Sequence, residues 1–333
     1  MQEVFQSING IFSFIGPLSD FLWDFPTNFA WYANIPVLGN FSFAIILLLG
    51  SGLYFSFRLG FVQVRGFKKG LGIMTEKRTI DTGISPLAAF LLSSAMRVGP
   101  GNILGVTGAI AVGGPGAVFW MWVSAFFGMC TKYAEIALAM KYRITGEDGQ
   151  YRGGPMYYIE NGLGKKWMWL AYLFAGFGVI TVFGTGNATQ VNTITTAIDS
   201  ALLNYNIIGN SAVATTNLII GIIITLLVGA VLLGGIKRIG KVTEKLVPFM
   251  ALLYILLAVG VIVLNIQNIP TVFKAIFTGA FNPSAITGGI VGSFFLSMKK
   301  GVSRGIFSNE AGLGTGSIAH ACADTNKPVQ QGL

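Results

Sequence analysis

Three stretches of the chain, 37 to 57, 212 to 236 and 246 to 268, are apolar and contain no charged residue. A hydrocarbon layer about 30 Å thick is crossed by about 20 helical residues, and only helices or closed barrels satisfy their own backbone polar groups inside it. The three runs therefore predict membrane-crossing helices. The rest of the composition agrees. Only 11% of the 333 residues are charged, against about 25% in an average soluble domain, too few to cover a water-facing surface. This argues against a soluble enzyme. Glycine, 45 of 333 residues, is about twice as common as usual, which in an apolar chain points to helices that pack closely or break.

Four further runs are long enough to cross but carry polar residues: 84 to 112 with Arg97, 117 to 140 with Lys132 and Glu135, 167 to 192 ending in GTGNATQVN, and 284 to 323, interrupted by KKGVSRG and SNEAG. Seven crossings are expected. Segment 1 to 36 is rich in Phe and Trp but has no Lys or Arg, so it lacks the basic region of a signal peptide and is expected to lie along the interface. Short loops rich in Lys and Arg stay cytoplasmic. Segments 58 to 82, 141 to 166 and 237 to 245 hold 15 of the 22 basic residues, whereas 1 to 36, 113 to 116, 193 to 211 and 269 to 283 hold only Lys274. That alternation predicts an external N-terminus and a cytoplasmic C-terminus. It also explains the net charge of +9 without nucleic acid as a partner. Cys130, Cys322 and His320 have no spacing that suggests a disulfide framework or a metal site.

The run SSAMRVGPGNILGVTG, 93 to 108, places Gly99, Pro100 and Gly101 in the middle of an apolar crossing. Pro removes a backbone donor and Gly weakens the helix, so one reading is a proline kink with close packing at Gly101 and Gly105. The other is a true break, whose free N–H groups suit a carboxylate and whose free C=O groups suit a small cation. A second interruption, RGIFSNEAGLGTGS at 304 to 317, sets Ser308, Asn309 and Glu310 beside four glycines. It is either a re-entrant loop of structural polar residues or the second broken helix of a midplane binding site. Asn187 and Gln190 are placed to line a cavity. Lys132 and Glu135, three residues apart on one helix, read first as a local ion pair, with a role in coupling as the second reading. Arg97 requires water, carbonyls or an acidic partner, with Glu310 one candidate. GGPGAVFWMW (113 to 122) reads as a tight turn entering a helix, with Trp120 and Trp122 at interfacial depth, and GGPMYY (153 to 158) reads as a turn.

GGPGAVFWMWVSAFFGMCTKYAE, residues 113 to 135, resembles the signature of the alanine or glycine:cation symporter family, and RVGPGN, GGPMYY, LGGIKRIGK and RGIFSNEAGLG fall in that family's order. The resemblance covers about residue 38 to the end. It implies an all-α polytopic membrane protein of leucine-transporter-like fold, with two inverted five-helix repeats after one extra N-terminal helix. On this expectation 1–36 is the interfacial segment, 37–57 the extra helix, 84–268 the first repeat, and 284–333 the start of an incomplete second repeat. The implied substrate site comprises Arg97 and Gly101 at the first break, Gln190, and Phe307, Ser308, Asn309 and Glu310 at the second. Amides near Gly101 would hold the substrate carboxylate, Glu310 and nearby carbonyls its ammonium, and Phe307 would close a pocket for a small side chain. Carbonyls of Ala95 and Val98 would contribute to the cation site, for Na⁺ or H⁺.

The implied function is import of alanine or glycine across the cell membrane, coupled to that cation by alternating access, with no cofactor. The family has eleven crossings, so the chain is expected to be C-terminally truncated. The alternative is a transport-inactive fragment or a membrane amino-acid sensor that keeps the first repeat. No nucleophile–base pair or paired carboxylates point to an enzyme.

Overall fold

A computed structural model describes residues 13–36, 38–74, 84–95, 97, 99–182, 187–281 and 294–333. The described chain is almost wholly helical. An N-terminal portion, helices α1 (Ile15–Asp24) and α2 (Ala30–Ala33), leads into α3 (Phe43–Arg58) and the short helices α4 (Val62–Arg65) and α5 (Phe67–Met74). Then come α6 (Pro86–Ala95), α7 (Pro100–Gly113) and α8 (Gly116–Lys141). A two-stranded hairpin, β1 (Ile144–Thr145) with β2 (Tyr151–Arg152), precedes α9 (Pro155–Leu163), α10 (Met168–Thr181), α11 (Thr189–Asn204), α12 (Val213–Leu232) and α13 (Gly235–Leu264). The chain continues through α14 (Ile269–Phe281), α15 (Phe294–Asn309), α16 (Thr315–Ala321) and α17 (Pro328–Gly332).

Helix α8 is the central post, with α3, α14, α15, α16 and α17 packed against it. Glycines set these approaches. A Cβ on Gly116 would collide with the backbone of Gly279 in α14, one on Gly52 would come within 2.9 Å of Phe127 O, and one on Gly301 would strike Ala117 O and Trp120. Trp120 Nε1 donates to Ala280 O at 3.2 Å, so this ring is anchored between helices. Val302 and Ile306 of α15 form a buried cluster with Ile45 of α3.

Among the described residues, two helices are long and apolar enough to cross a membrane, Asn210–Leu232 and Gly235–Leu264. Their side chains are widely exposed, Leu226 at 68% and Leu257 at 64%, a surface suited to lipid. Phe43–Arg58, Pro86–Ala95 and Asn102–Gly113 are apolar but shorter.

The structure corrects three local expectations. Segment 237 to 245 is no loop: it forms the first turns of the 30-residue α13, because Lys, Arg and Glu are good helix formers. The KKGVSRG run lies inside α15 and does not interrupt it. There Gly301 and Gly305 serve helix contact, the latter's Cβ position lying 2.5 Å from Ser124 Oγ, while Lys299 pairs with Asp24. In GGPMYY only the glycines turn. Pro155 is the first residue of α9, where its missing N–H costs nothing.

Candidate functional site

The first break lies between α6 and α7. Ala95 closes α6, Arg97 N bonds Ser94 O at 2.9 Å, and Gly99 is extended at φ −143°, ψ 165°. The residue before a proline avoids helical geometry, so Pro100 both ends the interruption and starts α7, with Gly101 in its first turn. The Arg97 guanidinium turns back onto its own helix: Nε donates to Ser93 O at 3.2 Å and Nη2 to Ser93 Oγ at 2.8 Å. No ion pair joins Arg97 to Glu310 among the described residues. Gln190, in the first turn of α11, brings its amide to this break; Oε1 and Nε2 lie 3.1 and 3.2 Å from the Cβ position of Gly99. Val98 lies outside the described residues.

The second break lies between α15 and α16. Glu310, Gly312 and Gly314 all have positive φ, 54°, 89° and 77°; left-handed residues cannot continue a right-handed helix. Glycine tolerates this at 312 and 314. Asn309 Oδ1 accepts from Ala311 N at 2.9 Å, and Glu310 Oε2 accepts from Thr315 Oγ1 at 3.2 Å, so the break is held partly by its own side chains. Among the described residues, Asn309 Nδ2 is buried without a hydrogen-bond partner and sits 3.1 Å from the Cβ position of Gly128 in α8. Ser308 is half-buried, whereas Phe307 is 43% exposed.

The halves pair across the molecule, α6 with α16 and α7 with α15. Ile84 N bonds Cys322 O at 3.1 Å and Asp324 N bonds Ile84 O at 2.8 Å. These two bonds join the chain entering α6 to the chain leaving α16. A cleft of about 610 Å³ opens beside the breaks, with Arg97, Lys132, Asn309 and His320 among its polar lining. It brings Arg97 and Asn309 together, while Gln190 and Gly99 meet outside it.

Some residues that hold this region in place were not singled out for it by sequence. Lys132 Nζ donates to Glu310 O at 3.2 Å, and Glu135 Oε1 accepts from Gly314 N at 3.2 Å. Arg143, just past α8, donates to Ala321 O, Ala323 O and Thr325 O at 3.1, 2.5 and 2.8 Å and stacks on the Tyr151 ring, 3.6 Å from its centroid. Of these, Ala321 O is a carbonyl that the end of α16 leaves without a helical donor, while Ala323 O also accepts from Thr325 N at 2.9 Å. Burial pushes the Arg143 pKa below its ordinary value, yet guanidinium stays charged throughout the physiological range. The only sequence signal for Lys132 and Glu135 was a charge pair in an apolar run; for Arg143 there was none.

The model of the sodium:alanine symporter family matches residues 27–333. An uncharacterized transporter of Haemophilus influenzae is 48% identical over 292 residues, 87% of this chain and 61% of that protein. A sodium/alanine symporter of Methanococcus maripaludis is 43% identical, covering 87% of this chain and 62% of its own length. A probable sodium/glutamine symporter of Bacillus subtilis is 42% identical, with 87% and 57% covered. The chain thus spans about three-fifths of the length of these curated relatives. Their names describe transporters and symporters, not enzymes. The chain belongs to the sodium:alanine symporter family.

Proposed function

We propose that the chain carries the amino-acid site of a cation-coupled symporter for a small neutral amino acid, alanine or glycine. The observation that carries this reading is the pairing of two interrupted helices, α6 with α16 and α7 with α15. Backbone groups freed by such breaks are tolerated at membrane depth only where they meet protein, water or ligand. The first turn of α7, around Gly101, offers N–H groups for a carboxylate. Arg97 frames that break and Gln190 reaches it from α11. Glu310 and the carbonyls around Ser308 and Asn309 take the ammonium, and Phe307 is the side chain available to close the pocket.

Na⁺ is the favoured coupling ion, with H⁺ the alternative. The carbonyl of Ala95, at the end of α6, is one proposed ligand and that of Val98 another. We read the architecture as leucine-transporter-like, multi-pass, with an external N-terminus and a cytoplasmic C-terminus. Transport proceeds by alternating access in the cell membrane.

The test uses the purified 333-residue chain in proteoliposomes and in detergent. Labelled alanine is expected to bind, more tightly with Na⁺ than with choline as the cation, and counterflow shows whether binding leads to movement. Binding without counterflow supports a binding or sensing role for this chain. A folded protein that binds neither alanine nor glycine in either salt overturns the reading.

A further inference from the structure

Lys132 and Glu135 sit on α8, nearly buried, with their side chains 9% and 10% exposed and 3.5 Å apart as an ion pair. A pair of this spacing ordinarily stabilises its own helix by a few tenths of a kcal/mol. Here each member also has a second partner across the helix interface. The ammonium donates to Glu310 O and the carboxylate accepts from Gly314 N. These are main-chain groups at the two ends of the α15–α16 break. The ammonium adds a second donor to a carbonyl that also accepts from Leu313 N at 3.3 Å, and the carboxylate supplies the acceptor for the Gly314 amide. Inside a membrane protein such groups need replacement partners.

Neighbouring residues leave room for this arrangement. A Cβ on Gly316 would lie 2.7 Å from Lys132 Nζ and 2.9 Å from Ser93 Oγ, so the missing side chain lets the ammonium approach the last turn of α6. Ser93 is the residue whose carbonyl and hydroxyl take the Arg97 guanidinium. Lys132 therefore stands where the two breaks meet.

We propose that Lys132 and Glu135 are positioning residues for the amino-acid site: they brace the α15–α16 break in its unwound form. The positioning role rests on the amino-acid reading given above. The brace is directional, unlike a local ion pair. Exchanging the charges, Lys132→Glu with Glu135→Lys, preserves an opposite pair three residues apart but aims a carboxylate at a carbonyl and an ammonium at an amide N–H.

The test compares the wild-type chain, that exchanged pair, Glu135→Leu and Glu135→Gln by hydrogen exchange over residues 306–316 and by alanine affinity. The exchanged pair and Glu135→Leu are expected to speed amide exchange at the break and weaken alanine binding by about tenfold or more, the scale of a lost hydrogen bond to a charged group. Glu135→Gln keeps an acceptor for Gly314 N and is expected to recover most of both. Wild-type exchange and affinity in the exchanged pair would overturn the proposal and leave only a local ion pair. If the wild-type chain binds no alanine, the amino-acid reading and the positioning role fall together. Exchange at the break then decides whether the brace itself exists. If Glu135→Leu fails to fold, the exchanged pair against Glu135→Gln makes the same comparison.

Discussion

The side-chain amide of Gln190 lies directly against the backbone of Gly99, with Oε1 3.1 Å from the point a Cβ would occupy. Helix α11 thus places a polar group at the first break from outside both broken helices. Gln190→Leu is expected to reduce alanine affinity about tenfold with little change in the unfolding temperature. Gly99→Ala should push the amide aside by a few tenths of an ångström and reduce affinity less. Equilibrium binding of labelled alanine in Na⁺ checks both, and full affinity in Gln190→Leu would remove this residue from the pocket.

Asn309 closes the last turn of α15 and caps Ala311 N with its own carbonyl oxygen. Leucine at this position loses the cap and brings an apolar branch against Gly128. Asn309→Leu is expected to abolish measurable alanine binding. The loss of one local side-chain to backbone hydrogen bond costs about 1 kcal/mol, so the protein should still elute as a single species in detergent. Asn309→Asp keeps the acceptor and should hold the turn, which near-normal amide exchange at Ala311 would report.

The contact between α15 and α8 depends on the absence of a side chain at Gly301, where a Cβ would meet Ala117 O and Trp120. Gly301→Ala should destabilise the chain by about 1 to 3 kcal/mol through overpacking, read as a lower unfolding temperature in detergent. Gly260→Ala, with open space at its Cβ position, is the matched control and should stabilise slightly if anything.

Arg143 serves several carbonyl acceptors with one planar fork, a geometry a lysine ammonium cannot reproduce. Arg143→Lys and Arg143→Ala should both release segment 321–326, seen as faster hydrogen exchange or new proteolysis there. Full protection in the lysine variant would show that charge alone suffices.

Both breaks are legible in the sequence because their causes are local: Pro100 after Gly99, and Gly312 and Gly314 around a polar triplet. The limits of the interruptions are less so. Gly301 and Gly305 have the same composition as a break but lie in a helix, because a glycine facing a neighbouring backbone looks no different in sequence from one that turns. The α13 extension through Lys237 and Lys245 was hidden by reading charge as loop. The roles of Lys132, Glu135 and Arg143 depend on partners roughly 180 residues away in the chain, which no local pattern encodes. Arg97 illustrates the same limit, since its nearest acceptors were on its own helix and not on a distant carboxylate.

The paired backbone bonds of Ile84 with Cys322 and Asp324 carry a mechanical consequence. Two half-helices fastened at one end cannot swing independently without breaking main-chain bonds, so α6 and α16 count as one moving part. A displacement of either helix at that end is then expected to carry the other with it.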